Sequence, residues 1–257
     1  MGRRLDNAHG LYLDAIRDGR ATEAINKYSG SRYTQHSTPV KDGREGFIEF
    51  FEDFYVRNPI RDIEIIRSFE DDTYVFLHVL QTLNNGEFQY VTADIFDTDD
   101  DGKLIEHWDM IDEVVQGKDP GPTQIDGPTE ATDLDKTEQN KVLVRSFLTE
   151  ALQSGHVGNL ADYISTDSFI EHNPDVDDGL IARATYDADG DESTMYTEIH
   201  NVIGSGSLVA AMSQMSLAGT DVAVIDIFRV ADGRIAEHWD VAEAITPEDT
   251  WVNSGKF

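Results

Sequence analysis

Asp94-Ile95-Phe96, followed by Asp101-Gly102-Lys103-Leu104-Ile105-Glu106-His107-Trp108-Asp109, returns later in the chain as Asp226-Ile227-Phe228 and Asp232-Gly233-Arg234-Ile235-Ala236-Glu237-His238-Trp239-Asp240. Asp226 follows Asp94 by 132 residues, and Asp240 follows Asp109 by 131. Upstream, Tyr33-Thr34-Gln35-His36-Ser37 aligns with Phe169-Ile170-Glu171-His172-Asn173, with 136 residues between the two histidines. Three blocks in the same order at nearly constant offset mark an internal duplication.

The 257 residues are enough for two domains of the usual size, about 100–150 residues each. The copies are expected at 1–116 and 138–257. A Pro/Gly-rich polar stretch, 117–137, reads as the linker between them. Hydrophobic residues at 39%, with 12 Phe, 9 Tyr and 3 Trp, supply apolar surface for two cores. No run approaches the roughly 18 apolar residues of a membrane-spanning helix. The N-terminus reaches Asp6 without an apolar segment, so no secretory signal is expected and the expected compartment is the cytoplasm.

Fifty acidic against twenty basic residues give a formal charge of −30, which opposes nucleic acid and anionic membranes as partners. The acids are spread along the whole chain, as on the surface of a haloarchaeal protein. Folding is therefore expected to depend on salt. The thermal midpoint should fall as KCl is lowered from molar to about 0.1 M, where the screening length reaches about 10 Å. A midpoint independent of KCl would show that the acidity is not a halophilic adaptation. The absence of cysteine excludes disulfides, zinc–thiolate sites and thiol nucleophiles.

Each copy opens with helical spacing: Ala8, Leu11, Ala15 and Ile16 in the first, and Val142, Leu143, Phe147, Leu148 and Leu152 in the second. A short second helix is expected before each His block. Phe47, Ile48, Phe50, Phe51 and Phe54 predict a third helix over 46–55, whereas the corresponding 180–192 breaks into Asp and Gly. The second copy is thus expected to be degenerate. Alternating, β-branched runs follow at 60–69, 73–83, 88–96 and 104–111, answered by 195–203, 208–217, 222–230 and 235–241. Asn84-Asn85-Gly86 and Asp100-Asp101-Gly102 are hairpin signals. The plan is α+β: two tandem cone-shaped domains, each a curved antiparallel sheet wrapped around about three helices.

Period-two alternation puts His107 and Asp109 on one face of the last strand, with Glu106, Trp108 and Met110 on the other. If Phe96 pairs with Ile105, Asp94 lies opposite His107, within reach of a hydrogen bond. The same construction sets Asp226 opposite His238. A carboxylate beside an imidazole in a dry pocket is suited to proton transfer; it equally serves as a polar pair that fixes hairpin register. His36, before Ser37-Thr38-Pro39, and His172, before Asn173-Pro174, either face the cavity as acid, base or oxyanion donor or cap a helix end. Tyr33 keeps a hydroxyl where the second copy has Phe169. His78 shares a strand face with Phe76 and Leu80 and is either a pocket residue or a buried imidazole; Met212 stands at the matching place. No HxH or HExxH spacing points to a metal.

Tyr-x-x-His early and Asp-Ile-Phe followed by Asp-Gly-(Lys/Arg)-(Leu/Ile)-x-Glu-His-Trp-Asp late resemble SnoaL-like proteins of the nuclear-transport-factor-2-like superfamily, over nearly all of 5–115 and 138–246. The resemblance implies a cone that binds a small molecule, often dimerised through its sheet, here as an intramolecular pseudo-dimer or a homodimer. It implies cofactor-independent chemistry of the polyketide-cyclase or isomerase type, with one Asp as acid–base group. Carried over, the acid–base carboxylate is Asp109 or Asp94 in the first copy and Asp240 or Asp226 in the second; with the histidines read above, the expected catalytic set is Asp94, His107, Asp109 and His36. Tyr33, His78, His172, Asp226, His238 and Asp240 are the further pocket residues. A non-catalytic ligand-binding or scaffold protein of the same fold is the alternative.

Overall fold

The computed structural model describes residues 2–115, 121–155, 158–173, 179–186 and 194–257. Two compact units emerge: Met1–Val114 together with Thr246–Phe257, and Val115–Ile245. The last twelve residues thus belong with the first copy, although they were expected with the second. The chain after Val115, read as linker, belongs with the second copy.

In the first unit, α1 (Arg3–Leu11) runs on through a π-helical turn, Tyr12–Arg17, into α2 (Ala21–Tyr28), β1 (Ser29–Gln35), α3 (Gly43–Arg57) and strands β2 (Arg61–Asp71), β3 (Tyr74–Leu83), β4 (Phe88–Thr98) and β5 (Leu104–Glu113). The second repeats the order with α4 (Thr137–Phe147), a π-helical turn Leu148–Gln153, β6 (Ile170–Glu171), α5 (Leu180–Tyr186) and strands β7 (Thr194–Ser205), β8 (Leu208–Leu217), β9 (Thr220–Ala231) and β10 (Arg234–Ala244). Sheet order is β1-β5-β4-β3-β2 in the first and β6-β10-β9-β8-β7 in the second, the same topology twice. The duplication read from the sequence is therefore a duplication of fold.

Four strands of each sheet form the expected meander, and the fifth corrects the expectation of an all-antiparallel sheet. β1 and β6, which carry the His blocks, pair in parallel with β5 and β10. The residues before His36 are thus a strand edge and not a helix end. At the first hairpin Asn84, Asn85 and Gly86 all take positive φ, the left-handed backbone that Asn and Gly tolerate best.

The helices of the first unit cover one sheet face. Leu11, Ala15, Ile25, Phe47 and Phe51 pack against Val75, Leu77, Val79 and Phe96, all buried. Odd-numbered residues of β3 face these helices, so His78 looks the other way. It is buried, and its Nδ1 accepts from Arg67 Nη1 at 3.1 Å. His78 is therefore a buried structural imidazole on the outer face, and its assignment to the pocket is corrected. In the second unit α4 and its continuation supply Val144, Phe147, Leu148 and Leu152 against Val209, Ala211, Val224 and Phe228.

Candidate functional site

The inner face of the first sheet ends in a cavity of about 100 Å³. Its apolar wall comes mainly from α3 (Phe47, Phe50, Phe51, Phe54), and its polar groups include Tyr12, Tyr33, Gln35, Gln81, His107 and Asp109. β5 supplies two of these because His107 and Asp109 alternate inward while Glu106 and Trp108 point outward.

The register differs by two residues from the expected pairing, so the same side chains keep their faces. A bulge between Asp97 and Thr98 places Asp94 opposite Asp109, and His107 opposite Phe96. The irregularity between Ile235 and Glu237 does the same in the second copy, setting Asp226 opposite Asp240 and His238 opposite Phe228. The Asp–His bonds nevertheless form, diagonally: His107 Nε2 to Asp94 Oδ1 at 2.8 Å and His238 Nε2 to Asp226 Oδ1 at 3.0 Å.

Asp94 is wholly buried. Its Oδ2 accepts from Tyr12 Oη at 2.7 Å and Thr92 Oγ1 at 2.8 Å. Burial raises its carboxyl above the ordinary range; the bond and charge of His107 pull it back only in part, and Asp109 adds to the rise. Tyr12 is held well above its usual value by burial and by the Asp94 charge. On its other side His107 Nδ1 donates to Gln35 Oε1 at 3.0 Å, and that oxygen also accepts from Ser37 N, which fixes the amide orientation. Phe96 stacks on the imidazole at 4.2 Å. Tyr12, missed in the sequence because it reads as one more core aromatic of α1, is thus a member of the cluster.

Two polar atoms on this cavity have no hydrogen-bond partner: Asp109 Oδ1 and Tyr33 Oη, both buried. Lys256 Nζ lies 3.5 Å from Asp109 Oδ1, an ion pair without a hydrogen bond. Burial and the charges of Asp109 and Asp94 hold Tyr33 protonated well above its usual range, so its hydroxyl is a donor.

His36 is not in the cavity. It follows Gln35 on the outer side, stacked on Trp108 at 4.8 Å, with Nε2 on Glu106 Oε1 at 2.9 Å and Nδ1 on Gly255 O at 2.7 Å. His172 repeats this arrangement with Trp239 at 4.3 Å, Glu237 at 3.1 Å and the carbonyl of Thr123 at 3.0 Å. The expected pocket roles of His36 and His172 are therefore corrected: each binds a backbone carbonyl of a distant segment, His36 that of Gly255 and His172 that of Thr123. Pro174, part of the second His block, lies outside the described residues, as does 187–192 of the expected weak helix.

In the second copy the cluster is closed by charge. Arg183 on α5, 1% exposed, donates from Nη2 to Asp240 Oδ2 at 2.7 Å and has Nη1 3.7 Å from Asp226. Asn173 Nδ2 also bonds Asp240, and Tyr196 Oη bonds Asp226 at 3.0 Å. Where the first copy has Gln35, the second has Glu171, whose Oε1 lies 2.8 Å from His238 Nδ1. Burial opposes charge on His238, but Glu171 and the Asp226 bond outweigh it and raise the imidazole to about 10. Burial likewise opposes charge on Glu171, yet His238 and the N–H groups of Asn173 and Leu180 lower it to about 2.

These shifts fix a pH window. A raised His238 stabilises fully below the imidazole's unfolded value of about 6.5, and that contribution is lost as pH rises toward 10. A lowered Glu171 stabilises above its unfolded value of about 4.5, and that contribution is lost as pH falls toward 2. Unfolding of the second unit, followed by near-ultraviolet circular dichroism, should be most resistant at about pH 4.5–6.5 and weaken on both sides. Glu171→Gln should flatten both slopes.

Asp94, His107 and Asp109 each offer a ligand atom, and these lie within 4.8 Å of one another. Asp94 already has three hydrogen-bond partners, however, in Tyr12, Thr92 and His107, and Lys256 Nζ lies 3.5 Å from Asp109. The set suits proton handling better than a metal.

The fold and site together define two tandem α+β domains of the same topology. Residues 144–238, within the second copy, match the SnoaL-like domain family, and the first copy repeats the topology of the second. Similar solved structures include a candidate polyketide cyclase from Bacillus cereus, at 20% identity and TM-score 0.38, covering 42% of this chain and 74% of that one. IdmH, a candidate polyketide cyclase from Streptomyces antibioticus, is 15% identical at TM-score 0.37 over 43% of this chain and 93% of its own. A candidate SnoaL-like polyketide cyclase from Shewanella putrefaciens is 19% identical at TM-score 0.36, covering 44% and 81%. No match was found among curated proteins. Among the described residues no helix is long and apolar enough to cross a membrane.

Proposed function

We propose that the first copy is a cofactor-independent acid–base enzyme acting on a small, partly apolar carbonyl compound, by enolisation leading to cyclisation, isomerisation or aldol closure. The observation that carries this reading is the pair of unsatisfied polar atoms on an aromatic cavity, a carboxylate oxygen of Asp109 and the hydroxyl of Tyr33. A carbonyl compound answers both. Its oxygen accepts from Tyr33, and the adjacent C–H is presented to Asp109, which takes the proton as the enolate forms. Tyr12, Asp94, His107 and Gln35 form a connected buried chain beside Asp109 that holds the surrounding groups in place, and Asp109 itself returns the proton to the product.

The second copy supports the alternative reading for its own half. Its two carboxylates are already engaged by Arg183, Asn173, Tyr196 and His238, which suits a structural partner and leaves no acceptor waiting for a substrate.

The test is exchange of α-hydrogens for deuterium in small ketones such as 2-tetralone, followed by proton NMR in D2O. The wild-type protein should accelerate exchange over buffer. A protein that binds the ketones without accelerating exchange would turn the reading to ligand binding alone.

A further inference from the structure

We propose that Lys256, on the segment that follows the second copy's last strand, is a positioning residue for Asp109 in the first copy's site. The inference rests on the reading of Asp109 as the base.

The segment is fastened along the His block of the first unit. Val252 N donates to Thr38 O at 3.1 Å, Asn253 Nδ2 to the carbonyls of Ser37 at 2.7 Å and Val40 at 2.9 Å, and His36 Nδ1 to Gly255 O at 2.7 Å. Three residues of chain thus deliver Lys256 to a fixed place, where it is 3% exposed with Nζ 3.5 Å from Asp109 Oδ1. A buried ammonium is costly without a partner, and so is a buried carboxylate opposite another carboxylate; each answers the other.

The comparison between copies shows why the cation must come from outside the first repeat. In the second copy Asp240 receives a guanidinium from its own third helix. At the offset that relates the His blocks, 136 residues, Arg183 falls on Phe47, an apolar wall of the cavity. The first copy has thus exchanged its internal cation for an open apolar pocket, and the ammonium of Lys256 stands in from the side. Set there, 3.5 Å from Asp109 Oδ1, it holds the carboxylate at the cavity without filling it. The other titratable groups that face Asp109 are Asp94, His107, Tyr12 and Tyr33.

Two readouts test this. In a thermal double-mutant cycle, Lys256→Met and Asp109→Asn should each lower the midpoint, while the double variant loses clearly less than both together; Lys256→Arg should keep the coupling that Lys256→Met abolishes. Additive losses, or equal behaviour of the Arg and Met variants, would overturn the proposal. In 2-tetralone exchange, Lys256→Met should move the acid limb of the pH profile upward and lower exchange at pH 6 about tenfold, as expected when an opposite charge within about 4–6 Å is removed. Lys256→Arg should restore both, and an unchanged profile in Lys256→Met would also overturn the proposal. Should the wild type not exchange 2-tetralone at all, the reading of Asp109 as base fails on that probe, and the cycle still decides whether Lys256 and Asp109 act as a pair.

Discussion

Asp109→Asn should lower turnover by at least the ~10²-fold typical of a lost acid–base group, with the shape of the site retained. The amide occupies the same volume and can still meet Lys256 through its oxygen, so the fall should appear in kcat more than in KM. It no longer accepts a proton from carbon. Asp240→Asn should leave turnover nearly unchanged, because Asp240 faces Arg183 and Asn173 and not an open acceptor site. The two variants should therefore separate: one silent in chemistry, the other in the stability of the second unit. Thermal midpoints measured alongside the rates keep a folding defect from being read as a catalytic one. Loss of turnover in Asp240→Asn, with Asp109→Asn intact, would move the working site to the second copy.

Much of this architecture is legible in the sequence because it is local. Alternation over 73–83 and 104–111, the Asn84-Asn85-Gly86 turn and the repeated Glu-His-Trp-Asp ending each depend on near neighbours, and all reappear in the sheets. What fails depends on small shifts of register. The turn pairing of Thr98 with Leu104 and the bulge beside it together move Asp94 from opposite His107 to opposite Asp109, and no residue between Asp97 and Leu104 announces either shift. His36 is misplaced for a similar reason. Read as a helix end, the His block has no definite face; read as strand β1 with its period of two, Tyr33 and Gln35 go inward and His36 outward.

The residues missed altogether are those brought in from a distance. Tyr12 fits the apolar stripe of α1, and only its contact with Asp94, 82 residues on, distinguishes it from core. In the second copy Tyr196, on β7, donates to Asp226 as Tyr12 does to Asp94. The same buried need is met there from a different element, which no alignment of the two repeats would show. Lys256 lies beyond both repeats and carries no pattern. Arg183 had a signal that was passed over: one guanidinium inside Leu180-Ile181-Ala182-Arg183-Ala184, too apolar a setting for an arginine without a buried anion.

That arginine carries the largest expected effect on stability. Arg183→Leu should destabilise the second unit by about 3–5 kcal/mol, the range for breaking a buried ion pair from one side. The apolar replacement fills part of the space, so the loss is not chiefly a cavity; it comes from leaving Asp226 and Asp240, both buried and directly opposite each other, without the guanidinium that faces them both. Removing the anions as well should reverse much of it. Arg183→Leu combined with Asp240→Asn should be more stable than Arg183→Leu alone, because an amide tolerates burial where an unpaired carboxylate does not. Urea unfolding of the full chain, with the two units fitted as separate transitions, reads this directly. A change below about 1 kcal/mol in Arg183→Leu, the scale of an exposed pair, would mean that the Arg183 network does not hold the second copy together. The assignment of that copy as the charge-closed, structural half would fall with it.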